Sequence, residues 1–209
     1  MMDNVTILMQ SRTGSSAVAS AFRAHGWNTG GDKVRSRWYT THENQDVKQR
    51  LVAVYGSNLD QPVNRTRLRM GVSPVGPDQK LRAILDSIEP WAWKGDAYYL
   101  DVFRATFLNL SVIYVIRDVE DAIESSLGPR SLTPEARTMH AGALRAHLHQ
   151  KYDWMRDQQS KIGGVIVDAT AVLNGDFDTL KNAITYAEGD WNEDLTKAVI
   201  RMNRPARTL

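Results

Sequence analysis

The sequence predicts an α/β domain of three layers, α/β/α, with helices on both faces of a central parallel sheet of about four or five strands. Runs of β-forming residues alternate with segments of helical periodicity, as in consecutive β–α units. The strongest run, residues 111–116, is apolar enough to be buried on both faces. No linker of Pro, Gly or Ser composition divides the 209 residues, so a single domain over 1–209 is expected.

The first β–α unit contains the most informative loop. A β-forming run over residues 5–9 leads into Gln10, Ser11, Arg12, Thr13, Gly14, Ser15 and Ser16, and a helical pattern then begins. Gly14 allows a tight turn with N–H groups pointing inward, and a helix N-terminus adds partial positive charge. Arg12 would supply a full charge and the two serines hydroxyl donors, so the loop suits a phosphate. The alternative is an ordinary helix capped by serine.

The next part of the chain predicts a long loop over 28–39 and then a helix through Val47 and Leu51, with Asn44 as its N-cap. Glu43, just before that helix, is either a functional acid or a solvated carboxylate near a helix start. Residues 56–77 lack periodicity and carry a basic segment over 65–69, for which a solvated face, a short strand or a basic flap is expected. Asp78 should begin a helix that stops before Pro90.

Two further strands are predicted in the middle of the chain. Residues 91–94 form a short core strand that ends at Lys94, followed by Gly95, Asp96 and a helix over about 100–108. Residues 111–116 form the strongest strand, which Arg117 terminates, and the next helix places Ser125 away from its core face. Ligand contacts in doubly wound proteins lie just outside the carboxyl ends of such strands.

The last third predicts a long helix from Thr133 and Pro134 with an apolar stripe formed by Leu144, Leu148, Tyr152 and Met155. A buried strand over 165–167 follows and leads into Asp168. Two more helices, around 177–184 and 195–200, complete the domain, and the basic tail over 201–207 has no periodicity.

Composition excludes several classes of function. The net charge of +2 is too small for a polycation that binds nucleic acid. The absence of Cys excludes thiolate chemistry and Cys-based zinc, and His147 and His149 would point to different faces of a helix, so no metal is expected. Without an apolar run of membrane length or a signal peptide, the expected location is cytoplasmic, with no membrane partner. The oligomeric state is not predicted.

Three predicted strand ends carry cationic or hydroxyl groups: the loop after residue 9, Lys94, and Arg117 with Ser125. Strands that neighbour each other in a parallel sheet bring their carboxyl ends to one edge. These groups would therefore converge on a ligand with at least two phosphate-like groups.

The same segments resemble the superfamily of sulfotransferases that use 3′-phosphoadenosine 5′-phosphosulfate (PAPS), over nearly the whole chain. Residues 10–16 are similar to the family's 5′-phosphosulfate loop, with Ser11 in place of the usual Pro and Thr13 in place of Ser. Residues 113–118 with Ser125 resemble the 3′-phosphate motif, an Arg at a strand end and a Ser eight positions later. Residues 93–96 resemble the segment whose Lys contacts the transferring sulfuryl group, and residues 42–44 resemble a Glu-Asn segment of bacterial members.

The resemblance implies a fold of the P-loop nucleotide-binding type, with PAPS as sulfuryl donor, PAP as product, and a hydroxyl or amine of a small molecule or glycan as acceptor. The implied cofactor-binding residues are Ser11, Arg12, Thr13, Gly14, Ser15, Ser16, Arg117 and Ser125. Arg12 and Lys94 would stabilise the charge that develops on the leaving phosphate. Glu43 is the first candidate for the catalytic base, and Asp96, at a position where cytosolic members carry His, is the second.

Two alternatives stay open. A nucleotide kinase or other P-loop phosphotransferase would explain the loop, although the leading Gly of a Walker A motif and the Lys before its Ser or Thr are missing. A catalytically inactive nucleotide-binding scaffold would explain why residues 95–98 depart from the Lys-Asp-Pro-Arg pattern of bacterial members.

Overall fold

The structure is a computed structural model that describes residues 2–9, 13–30, 34–36, 39–40, 44–56, 71–128 and 133–203. Side chains are described in these ranges except at 34–36, 39–40 and 201–203. In chain order the elements are β1 (Val5–Met9), α1 (Ser15–Ala24), β2 (Val34–Ser36), β3 (Tyr39–Thr40), α2 (Gln45–Tyr55), α3 (Gln79–Asp86), β4 (Ala92–Asp96), a 3₁₀ turn (Ala97–Tyr99), α4 (Leu100–Thr106), β5 (Ser111–Ile116), α5 (Val119–Leu127), α6 (Pro134–Ile162), β6 (Val165–Asp168), α7 (Ala169–Asn174), α8 (Asp178–Tyr186) and α9 (Glu193–Asn203).

The main sheet has four strands in the order β4-β1-β5-β6, and all neighbouring pairs are parallel. The predicted α/β class with a parallel sheet is therefore confirmed. Within the stretch predicted as a loop, 28–39, β2 forms a short antiparallel pair with β3. That prediction was wrong at these residues, because strands of two and three residues are too short to show periodicity.

Side chains alternate between the two faces of the main sheet, and both faces are apolar. One face carries Val5, Ile7, Ala92, Ile113, Val115 and Val167, which pack with residues of α1, α7, α8 and α9. The other face carries Leu8, Trp93, Val112 and Tyr114, which pack with residues of α2 to α6. Two core clusters on opposite faces of one sheet are compatible with the predicted three layers.

Strand β4 is longer than predicted and places Lys94 inside the strand, since Gly95 pairs with Leu8 and Asp96 with Met9 of β1. A Cβ at Gly95 would overlap the ring of Trp93, which lies on the same face two residues earlier. The glycine therefore belongs to the strand and makes room for an indole ring, whereas the sequence pattern suggested a loop.

The predicted helix starts are confirmed at three caps: the side chains of Asn44, Asp78 and Thr133 accept hydrogen bonds from the first turns of α2, α3 and α6. Two predicted helix ends were wrong, and one helix was missed. Helix α4 ends at Thr106 and leaves Leu108 97% exposed, α7 was not predicted, and α9 continues to Asn203 where an irregular tail was expected. Helix α7, with six residues, carries too few periodic positions to be recognised, whereas α4 and α9 were predicted and only their ends differ.

A buried carboxylate joins α2 to α3. Asp78 is 4% exposed and accepts hydrogen bonds from the Arg50 guanidinium at 3.0 Å, the Tyr55 hydroxyl at 3.0 Å and the Leu81 N–H at 3.0 Å. A cleft of about 510 Å³ opens beside Arg50, Tyr55 and Asp78. Because the Asp78 oxygens already bind groups of the protein, we assign this cluster a structural role.

Among the residues that the structure describes, no helix has the length and apolar character that crossing a bilayer demands.

Candidate functional site

The carboxyl ends of β4, β1 and β5 lie at one edge of the sheet, which we call the carboxyl rim. Met9 at the end of β1 pairs with Asp96 at the end of β4, and Leu8 pairs with Tyr114, three residues before Arg117. Strand β1 is thus the middle strand of the three, with Lys94 and Asp96 on one neighbour and Arg117 after the other. The structure therefore places Lys94 and Asp96 on a strand adjacent to β1, and Arg117 directly after the strand on the other side.

The helices that follow these strands lie on opposite faces. After β1 the chain enters α1 on one face, whereas α4 after β4 and α5 after β5 contribute to the core of the other face. In open α/β sheets, a crevice forms at the carboxyl end of a strand where successive connections diverge in this way. The loop after β1 therefore borders such a crevice.

The turn into α1 depends on Gly14. Gly14 is the N-cap residue of α1, and its φ of 80° lies in the left-handed region that favours glycine. No side chain of the cap residue hydrogen-bonds to the first turn of the helix. A Cβ here would lie 3.1 Å from the Cβ of Ala169, the first residue of α7. Ser15 and Ser16 are the first two residues of the helix, so the alternative interpretation of a serine cap is wrong.

The rest of the loop is described only in part. Thr13 is fully buried and Ser15 is 5% exposed, so their side chains face the protein. Ser11, Arg12 and Glu43 lie outside the described residues.

Lys94 reaches the first turn of α1. Its side chain projects from the face of β4 that α1 covers, and its Nζ donates a hydrogen bond to the Ser16 Oγ at 3.1 Å. Lys94 is only 4% exposed. A desolvated ammonium next to a helix N-terminus combines two features that attract an anion, since the N-terminus already carries partial positive charge.

Arg117 lies on the other side of β1 and is connected to the Gly14 turn through α7. Its Nε is 3.9 Å from the Asp121 carboxylate, and its side chain is 19% exposed. Thr170 of α7 accepts a hydrogen bond from the Asp118 N–H at 2.9 Å and donates one to Asp121 at 3.5 Å. The residue before Thr170 is Ala169, which lies against Gly14, so the two predicted phosphate sites share α7 as a neighbour.

Ser125 lies on α5, about two turns after the cap residue Asp118, and is partly buried.

Asp96 is held at the rim by two donors. Its Oδ1 accepts a hydrogen bond from the Lys151 Nζ at 2.7 Å and another from the Tyr98 N–H at 2.9 Å. The Asp96 side chain is 34% exposed, whereas that of Lys151 is 2% exposed.

Sequence reasoning missed two residues of α6, Lys151 and Tyr152. Tyr152 was assigned only to the core, yet its hydroxyl accepts a hydrogen bond from the Arg117 backbone N–H at 3.3 Å. A usable signal for Lys151 was its place on the apolar stripe, three residues after Leu148 and four before Met155. A lysine on a stripe of buried positions indicates a buried charge with a partner.

Burial shifts the pKa values of two groups near this part of α6, in each case in favour of the neutral form. Burial raises the pKa of Tyr152 to about 12, against the lowering effect of the Arg117 N–H and charge, so the hydroxyl is protonated at neutral pH. Burial, reinforced by the charge of Lys151, lowers the pKa of His147, while Asp96 opposes this shift. The imidazole is therefore predominantly neutral at pH 7.

In the part of the chain that the structure describes, no three acidic or His residues come together as a metal site. The chain matches no protein-family model, and it shows no significant similarity to a curated protein or to a solved structure. What can be inferred about function therefore comes from the residues at the carboxyl rim.

Proposed function

We propose that this chain is a sulfotransferase that moves a sulfuryl group from PAPS to a hydroxyl or amine of a small-molecule or glycan acceptor. The observation that carries the proposal is the contact of 3.1 Å between the buried Lys94 ammonium and Ser16 at the start of α1. An ammonium and a helix N-terminus in one place suit a phosphate or sulfuryl group. The resemblance of residues 10–16 and 113–125 to the superfamily's two phosphate motifs supports PAPS as that ligand.

Arg117 supports a ligand with a second phosphate. It follows β5, which pairs directly with β1, and it is linked through Asp121 and Thr170 to the helix that contacts Gly14. In the proposed complex the 5′-phosphosulfate binds at Gly14, Ser16 and Lys94, and the 3′-phosphate binds at Arg117 and Ser125. These assignments define a P-loop type of nucleotide site without the Walker lysine.

The proposed reaction is an in-line transfer. The acceptor oxygen or nitrogen forms a bond to sulfur while the bond from sulfur to the bridging oxygen of the 5′-phosphate breaks, which leaves PAP. Negative charge builds on that bridging oxygen, and Lys94, Arg12 and the N–H groups of the loop stabilise it. A carboxylate takes the acceptor's proton. Glu43 is the first candidate, since Asp96 already accepts hydrogen bonds from Lys151 and Tyr98.

Calorimetric titration with PAP, AMP and ATP tests the ligand. PAP and AMP differ only in the 3′-phosphate, so a sulfotransferase should bind PAP more tightly than AMP. A preference for ATP with Mg²⁺ would instead support the phosphotransferase, and no binding of any of the three would support the inactive scaffold.

Arg117→Ala tests the second phosphate. We expect the affinity for PAP to fall by about tenfold or more, because a charge-assisted contact is lost, while the affinity for AMP changes little. Arg156→Ala, which removes an exposed arginine of α6, is the matched control. An equal loss of affinity for PAP and for AMP in Arg117→Ala would contradict the assignment of Arg117 to the 3′-phosphate.

Two variants test the base. With PAPS and a panel of amines and alcohols, Glu43→Gln should abolish the formation of PAP and leave the affinity for PAP nearly intact. Full activity of Glu43→Gln together with loss in Asp96→Asn would move the role to Asp96.

A further inference from the structure

Two consecutive residues of α6 bind the ends of the two strands that flank β1. Lys151 donates a hydrogen bond to Asp96 at the end of β4, with 2.7 Å between Nζ and Oδ1. Tyr152 accepts one from the Arg117 N–H after β5, with 3.3 Å between the nitrogen and Oη. Strands β4 and β5 are not neighbours, because β1 lies between them. Helix α6 therefore contacts the chain at the ends of both strands that flank β1.

Both side chains are buried, and one of them is charged. Lys151 and Tyr152 are each 2% exposed. Their neighbours on the stripe, Leu148 and Met155, are apolar and fully packed. A leucine or methionine at 151 would fill the same space without the desolvation of an ammonium, which opposes folding. The lysine is therefore better explained by what its charge does at the rim than by packing.

We propose that Lys151 and Tyr152 are positioning residues of the nucleotide site, Lys151 for its 5′-phosphate side and Tyr152 for its 3′-phosphate side; this inference rests on the proposed function. Lys151 balances the Asp96 carboxylate, which would otherwise repel the 5′-phosphate, since Asp96 pairs with the last residue of β1 before the phosphate loop. Tyr152 fixes the backbone from which the Arg117 side chain departs.

The two roles predict a crossed pattern of affinities. Tyr152→Phe removes one hydroxyl beside Arg117, so the affinity for PAP should fall by about fivefold while that for AMP stays within about twofold. Lys151→Met removes the cation beside Asp96, so the affinities for PAP and AMP should fall together, by about tenfold. The experiment is calorimetric titration of both nucleotides into the wild type and each variant, with urea unfolding to measure stability.

Controls separate positioning from general damage. Tyr114→Phe removes the hydroxyl of another buried tyrosine, which donates to the Gly163 carbonyl at 3.5 Å next to the amino end of β6, and should leave both affinities unchanged. Lys151→Arg keeps the charge and should retain most of the affinity. The double variant Asp96→Asn, Lys151→Met removes both charges and should bind AMP more tightly than Lys151→Met. Where Lys151→Met alone does not fold, the double variant is the one to titrate against the wild type.

Several results would overturn the inference. One is an equal loss of affinity for PAP and for AMP in Tyr152→Phe. The others are unchanged affinities in both single variants, and a double variant that binds AMP no more tightly than Lys151→Met. If the wild type binds PAP more tightly than AMP and the variants do not follow the crossed pattern, this inference fails and the proposed function stands. If the wild type does not distinguish PAP from AMP, the proposed function fails, and the inference with it.

Discussion

The ammonium of Lys94 lies 3.1 Å from the hydroxyl of Ser16, although 78 positions separate the two residues in the sequence. The contact joins the edge strand β4 to the first turn of α1, across the face of the sheet that α1 covers. Because Lys94 is 4% exposed, its charge is poorly screened by water and would act strongly on an anion bound at the helix N-terminus.

Lys94→Met should separate binding from stability. We expect the affinities for PAP and AMP to fall by at least about tenfold, because a desolvated cation is lost. The free energy of unfolding should change little or rise, since an apolar side chain of similar length avoids the cost of burying a charge. Calorimetry and urea unfolding measure the two effects, and Lys80→Met, at an exposed lysine of α3, is the control. Wild-type affinity for AMP in Lys94→Met would contradict the assignment.

Gly14→Ala should destabilise the protein by about 2 kcal/mol, because a Cβ strains the left-handed backbone and approaches Ala169. Gly142→Ala is the matched control: Gly142 is an exposed residue of α6 whose added Cβ would meet no atom within 4 Å. That variant should gain about 0.5 to 1 kcal/mol through helix propensity. Urea unfolding of the two variants checks this difference in sign. A Gly14→Ala protein as stable as the wild type would show that the turn tolerates a side chain.

Gly95→Ala should destabilise the protein by about 3 kcal/mol, because the added methyl group overlaps the Trp93 ring. That ring is stacked against Phe103 with 4.4 Å between centroids, so it has little room to move. In thermal unfolding, the double variant Gly95→Ala, Trp93→Leu should be destabilised by less than the sum of its two single variants. Strict additivity would mean that the ring is not what requires glycine at this position.

Asp78→Asn should lower stability in a manner that depends on pH. Burial raises the pKa of Asp78, but the hydrogen bonds from Arg50, the Leu81 N–H and Tyr55 outweigh burial and hold the pKa below its ordinary value of 3.8. The ionised carboxylate therefore stabilises the fold above that ordinary pKa, and the stabilisation is lost as the pH falls through the lowered pKa. We expect Asp78→Asn to cost about 2 kcal/mol at neutral pH and progressively less in acid.

Urea unfolding from neutral pH to below the ordinary carboxyl pKa of 3.8 measures the difference in unfolding free energy between the wild type and Asp78→Asn. Asp157→Asn, which removes the partner of an exposed ion pair with Lys161, should change stability little at any pH. A difference between Asp78→Asn and the wild type that stays constant into strong acid would mean that the charge of Asp78 is not responsible.

Much of the fold could be predicted because its signals are local. Alternating apolar strands and periodic helices predicted the α/β class, and the cap residues Asn44, Asp78 and Thr133 predicted three helix starts. The pairing of Gly95 with Leu8 could not be predicted, since a glycine in isolation indicates a turn. Only the position of the Trp93 ring explains why a residue inside this strand is glycine. Helix α7 has six residues, too few for a periodic pattern.

The candidate site divides in the same way. By itself, the sequence predicted that Gly14, Lys94 and Arg117 lie at or just after the ends of strands, because a boundary between a strand and a helix is recognisable from neighbouring residues. The structure extends β4 beyond Lys94 to Asp96. Only the tertiary structure decided that β1 lies between β4 and β5, that Lys94 meets Ser16, and that Lys151 and Tyr152 of α6 bind the two flanking strand ends. These contacts join residues that are 35 to 78 positions apart. They are set by the order of the strands and the packing of the helices, and both of these depend on the whole core.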